Sequence, residues 1–183
     1  MVEYKFFCKN DVSSSGISYA LSQMGFDEIP VIICVGSDIT IGDSLGPIVG
    51  TILRNKRLPC IIYGSLDLPV VAQDIYYLKE FVKKAHPYSK VLVIDAAVGA
   101  SQDVGFIKVL ADGLKPGLGA NKNLPKIGDA SIIGIVAKKS PKNEALFHCT
   151  RLGFVNSLAR VIADGICDYF KTEFKIEESK KAN

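Results

Sequence analysis

The sequence predicts an α/β fold: a three-layer α/β/α sandwich around a mostly parallel, five-stranded sheet. Two patterns carry that expectation. Five short, continuous apolar runs rich in β-branched residues lie at residues 31–35, 60–63, 91–94, 106–110 and 132–136. Continuous rather than alternating runs belong to strands covered on both faces. Helical patterns lie between several of them, and strands that alternate with helices close into parallel sheets through right-handed crossovers.

The helical stretches read in order. Residues 17–24 form a short leading helix. Residues 45–55 form the second, with Pro47 in the first turn, where a missing N–H costs little, and Arg54, Lys56 and Arg57 at the close. Residues 70–85 form the third, preceded by Asp67 as a cap and closed by Lys83, Lys84 and His86. Residues 145–170 form the longest, with Gly153 and Gly165 as weak points. The 183 residues read as one domain: a leading segment over 1–28, an α/β core over 29–172, and a charged tail over 173–183 that is expected to fray. Residues 112–130, rich in Gly, Pro and Asn, are the long irregular stretch, and loops of that length inside a compact domain tend to be functional or mobile.

Composition narrows the function classes. Apolar residues make up 48% and charged residues 22%, ordinary globular usage. A net charge of +3, with no basic stripe interleaved with aromatics, gives no direct nucleic-acid partner. No apolar run reaches the roughly 20 residues that span a bilayer, and residues 2–11 carry Glu3, Lys5, Lys9 and Asp11 where a signal peptide needs an apolar stretch. Cys8, Cys34, Cys60, Cys149 and Cys167 are odd in number, widely spaced and without a C-x-x-C pair. They read as small buried hydrophobes in a reducing cytoplasm.

In an open α/β sheet, ligands bind beyond the carboxyl ends of the strands. Asp43 stands there after the first core run, in Gly36-Ser37-Asp38-Ile39-Thr40-Ile41-Gly42-Asp43-Ser44-Leu45-Gly46-Pro47, and Asp95 directly follows residues 91–94. Parallel neighbours lie about 5 Å apart, so if these two strands adjoin, the two carboxylates face one pocket. Two close carboxylates resist ionising together and share a proton; one takes a proton from water while the other donates. The start of a helix favours an ionised Asp43, which makes Asp43 the base and Asp95 the acid. The plainer readings stay open: Asp43 as a helix cap, Asp95 as a loop hydrogen-bond acceptor, Asp38 as an orderer of its own turn. Gly36, Gly42 and Gly46 match neither nucleotide-binding glycine spacing. His86 and His148 sit at helix ends and suggest no zinc site, and Ser65 and Ser101 follow strands without a G-x-S-x-G elbow.

The same residues carry a resemblance. Residues 40–47 resemble the T-x-D-A-L-G-P segment of the spore germination protease family, Ile94-Asp95-Ala96 its I-D-A, and Gly113 to Asn121 its G-x-x-P-G-x-G-x-N loop, with Ile133-Gly134-Ile135-Val136 similar to the strand that follows. As a whole chain the sequence looks closest to the YyaC-type sporulation proteins, and both groups are similar to the hydrogenase maturation protease (HybD-like) superfamily. The resemblance implies a peptidase-like site in which Asp43 and Asp95 hydrolyse a peptide bond through an activated water, without metal or cofactor. Gly36, Asp38, Thr40, Gly42, Gly46, Gly117, Gly119 and Asn121 are then the substrate-side residues. It implies the cytoplasm of a sporulating cell or spore, and a peptide or protein substrate, small spore proteins among them. Self-association stays open. The chain is shorter than a germination protease, has no obvious propeptide, and carries Asp43 where the maturation proteases carry Glu. A non-catalytic binding or assembly protein of the spore is therefore the alternative, and a metal-dependent hydrolase a weaker third.

Overall fold

A computed structural model describes residues 2–26, 29–116, 125–139 and 150–181, with side chains in the last helix described as far as residue 173. Among these residues are six strands and four helices: β1 (Glu3–Phe7), α1 (Ser13–Ser22), β2 (Val31–Cys34), α2 (Leu45–Lys56), β3 (Ile61–Tyr63), α3 (Ile75–Ala85), β4 (Val91–Gly99), β5 (Phe106–Leu110), β6 (Ala130–Lys138) and α4 (Leu152–Lys181). The strands form one sheet in the order β1-β5-β6-β4-β2-β3.

The sheet is mixed and six-stranded, which corrects the expectation of a mostly parallel five-stranded one. β6, β4, β2 and β3 run parallel, while β5 pairs antiparallel with both β6 and β1. A parallel partner needs a crossover of a dozen or more residues. Between Gly99 and Phe106 the chain has only a short 3-10 turn, Ser101–Asp103, so it reverses instead. The sixth strand, β1, alternates exposed and half-buried residues. Its wet side is laced to β5 and its approach by Glu3–Lys108 and Lys5–Asp103 ion pairs, with the Lys5 ammonium also over the Phe106 ring.

Period two along the central strands sends alternate side chains to opposite faces. Ile32, Cys34, Leu92 and Ile94 join one apolar cluster with α1, α2 and α4; Val31, Ile33, Val35 and Val93 join another with Ile75 and Val82 of α3. Helices thus lie on both faces. α4 presents Val155, Leu158, Ala159, Ile162, Ala163 and Ile166 inward, the spacing of an amphipathic helix. α2 begins with Pro47 in its first turn and stops at Arg57, whose left-handed φ of 51° turns the chain away. The 70–85 stretch is α-helical only from Ile75, after a 3-10 turn over Ala72–Asp74: Val70 instead forms a parallel bridge with Val35. α4 runs on through the stretch read as a tail, and residues 145–149 of its expected start lie outside the described residues.

Candidate active site

The order of the sheet sets up the site. The chain leaves β2 toward β3 on one side and leaves β4 toward β5 and β6 on the other. The crevice where such directions diverge is where open α/β sheets take ligands. β2 and β4 are parallel neighbours in the register Cys34↔Ile94, and the Val35 N–H donates to the Ile94 carbonyl at 2.8 Å. Each of these two strands leads to one of the sequence-marked acids.

Asp95 does not lie past its strand. β4 continues to Gly99, and Asp95 sits inside it, opposite Ile133 of β6. On the other side its β2 neighbour has stopped pairing at Val35, because Gly36 turns off and donates its N–H to Val70 O at 2.9 Å. Asp95 is buried, and its Oδ1 accepts the Ala96 N–H at 2.8 Å.

Asp43 is half-buried in a 3-10 turn, Ile41–Ser44, that runs directly into α2 and packs against β4 and α4. The position capping α2 is Ser44, whose hydroxyl donates back to Ile41 O at 2.7 Å. The Asp43 N–H donates to Thr40 O at 2.9 Å.

Glycines bring these pieces together. Gly36 has φ of +141°, and a Cβ there would stand 2.0 Å from the Asp43 carbonyl oxygen. Gly46 lies so close to β2 that a Cβ would stand 2.1 Å from Val35 O. Of the residues assigned to the substrate side, Gly36 and Gly46 are thus occupied with packing the start of α2 onto the end of β2. Asp38 is exposed, Thr40 half-buried and Gly42 buried in the same loop. Gly117, Gly119 and Asn121 lie outside the described residues. Two positioning residues escaped the sequence reading as such: Leu45, fully buried, sets its side chain over Gly134 of β6, where a Cβ would meet Leu45 Cδ2 at 2.4 Å. A glycine inside a strand is the signal for such an approach.

The family described as "Protein of unknown function (DUF1256)" matches residues 7–165. The chain belongs to this family. It is also 36% identical over 148 residues to the "Uncharacterized protein YyaC" of Bacillus subtilis (strain 168), covering 80% of this chain and 72% of that protein.

The remaining sequence candidates in this DUF1256 protein lie elsewhere. His86 closes α3, and its Nε2 is 2.8 Å from the Tyr63 hydroxyl. Ser65 orders its own turn: its Oγ accepts the Leu68 N–H at 3.2 Å. Cys8, Cys34, Cys60 and Cys167 are free thiols; burial pushes Cys60 up to about 12 and raises Cys34 as well. His148 and Cys149 lie outside the described residues. A cavity of about 450 Å³ opens at the other end of the sheet, between Lys83 and His86 of the α3 end, Val91 at the start of β4, and Lys126 to Asp129. Neither acid lines it. No helix among the described residues is long and apolar enough to cross a membrane.

Proposed function

We propose that this protein is a peptidase-like hydrolase of the sporulating cell or spore cytoplasm, using Asp43 and Asp95 to cleave a peptide bond with an activated water. One observation carries the reading: the strands leading to the two acids are hydrogen-bonded parallel neighbours, at the point of the sheet where the chain departs in opposite directions. Helices on both faces support a three-layer architecture like that of the HybD-like proteins, and the resemblance of the segments around both acids to germination-protease motifs supports the same reading.

In this reading the positive end of α2 favours an ionised Asp43, which takes a proton from water. The water oxygen attacks the peptide carbonyl carbon. Asp95 gives its proton to the departing amine nitrogen as the C–N bond breaks, and the proton held by Asp43 then resets the pair. General acid–base catalysis of this kind is worth about 10²–10⁴-fold per group. Wild type, Asp43→Asn and Asp95→Asn, incubated with unfolded proteins and peptide mixtures and followed by mass spectrometry, test it. Wild type should cleave, and each Asn variant should lose about 10²-fold or more while keeping its circular dichroism. Turnover that survives both substitutions removes the mechanism.

The alternative, a binding or assembly protein that keeps the fold, draws on the hydrogen bond from the Ala96 N–H to Asp95 Oδ1. A carboxylate anchored by its own strand can be purely structural. Wild type that cleaves nothing favours this alternative.

A further inference from the structure

Apolar side chains that a fold does not need inside are ordinary when scattered and informative when gathered at one place. Six exposed ones stand in the segments that follow β2 and β3. Ile39 and Ile41 stand in the loop after β2, Leu66 and Leu68 in the loop after β3, and Tyr76 and Tyr77 in the first turn of α3. Ile39 is 86% exposed, Tyr77 77% and Leu68 66%. One backbone bond joins the segment after β2 to the one after β3, and two further bonds order the latter. Gly36 N–H donates to Val70 O at 2.9 Å, Ser65 N–H to Leu68 O at 3.0 Å, and Leu66 N–H to the Thr51 hydroxyl of α2 at 2.9 Å.

The charge of the same segments is one-sided. Residues 35–53 and 60–78 contain Asp38, Asp43, Asp67 and Asp74 and no Lys, Arg or His, in a chain whose net charge is +3. Three exposed acids, Asp38, Asp67 and Asp74, and the half-buried Asp43 beside exposed aliphatic and tyrosine side chains make a rim that is apolar and anionic together. A nucleic acid backbone is repelled by such a rim. A polypeptide segment carrying both apolar and cationic side chains satisfies both of its properties.

We infer that this rim docks an extended polypeptide segment in which aliphatic or aromatic residues are flanked by lysine or arginine. As a statement about substrate, the inference rests on the peptidase reading; as a statement about docking, it stands on the rim alone.

The test uses the full chain carrying Asp95→Asn, which keeps all four rim aspartates, or Asp43→Asn if the first variant does not fold. Three fluorescein-labelled peptides of equal length are titrated by anisotropy: a Leu/Ile/Lys peptide, a Leu/Ile/Glu peptide and a Ser/Gly/Lys peptide, with a single-stranded DNA oligomer as a fourth probe. The first should bind at least about tenfold tighter than the others and weaken with added salt. Adding Ile39→Ser and Leu68→Ser should weaken it by about tenfold or more, since each serine removes apolar surface that docking would cover, with no fall in thermal stability. Equal binding of the three peptides, tighter binding of the DNA, or binding untouched by the two serines overturns the docking inference. Cleavage is scored separately with wild type: selective docking without cleavage leaves this inference in place and removes the peptidase reading. Cleavage without selective docking does the reverse.

Discussion

Gly36→Ala is expected to cost the protein several kcal/mol although it adds one methyl group. At φ of +141° the position lies where side chains rarely go, and the new Cβ would stand 2.0 Å from the Asp43 carbonyl oxygen and 3.1 Å from Pro47 Cδ. The nearest obstacle is backbone, so no rotamer change relieves it; either the 3-10 turn or the end of β2 must move. Strained backbone of this kind costs about 1–3 kcal/mol, and an overpacked core adds about 1–3 kcal/mol more. The sum, about 2–6 kcal/mol, lowers Tm by roughly 4–20 °C in a domain of this size. Urea and thermal denaturation followed by circular dichroism read the effect. Gly153→Ala in α4 is the matched control, because nothing lies within 4 Å of a Cβ there; the same methyl should be neutral or stabilise by up to about 1 kcal/mol. A Gly36→Ala protein within about 0.5 kcal/mol of wild type, near the scatter of an ordinary surface substitution, would refute the close approach, as would a Gly153→Ala protein equally damaged.

Two further outcomes follow from the same packing. Leu45→Ala should cost about 2–5 kcal/mol, and Gly134→Ala, destabilising alone, should be tolerated better in the Leu45→Ala background, because its Cβ then fills the space left by Leu45 Cδ2; a double-mutant cycle with no coupling removes that contact. The buried Cys34 and half-buried Cys60 thiols set an alkaline limit. Cys34 and Cys60 hold their protons in the native state above the ordinary thiol value of 9.0, where the unfolded chain has lost them. Stability is therefore full below that value and declines as pH rises through and beyond it. Cys34→Ala and Cys60→Ala together should flatten the decline in urea titrations just above pH 9, before lysine and tyrosine titrate, and an unchanged slope would show that these thiols are not its source.

How far the fold could be read from the sequence depended on how each strand is covered. β5 occupies the expected residues 106–110, and β2 and β3 differ from expectation by a residue at one end; β2, buried on both faces, announces itself as a continuous apolar run, while the half-buried edge strand β3 and the alternately buried β5 are legible through their β-branched and aromatic residues. β1 does not, since an edge strand with one wet side alternates, and its Glu3 and Lys5 read as a polar leader rather than as partners of Lys108 and Asp103. The reversal of β5 was not legible, because the run at 91–94 leaves a longer gap before Phe106 than the one that remains once β4 continues to Gly99. Val70 reads as the start of a helix by pattern, yet its backbone is committed to Val35 and Gly36, a long-range choice that local periodicity does not encode.

The acids are marked in the sequence for a different reason: each follows an apolar run, although Asp95 itself stays inside β4. What the runs hid is that β4 outlasts β2. Asp95 keeps Ile133 beside it on β6, while on the other side the chain after Val35 turns at Gly36 toward Val70. The same glycine, lacking a Cβ, lets the Asp43 carbonyl close in behind that turn. One residue therefore both ends the pairing of β2 with β4 and seats the loop that carries Asp43. Substitutions at Gly36 and at the acids should consequently separate. Alanine at Gly36 should lose stability and any peptide cleavage together, because it displaces the Asp43 turn. Asparagine at Asp43 should lose cleavage while keeping the packing, because the backbone that Gly36 touches is unchanged. If Asp43→Asn instead unfolds the protein as Gly36→Ala does, the carboxylate is part of the scaffold and the catalytic reading of the pair fails at that residue.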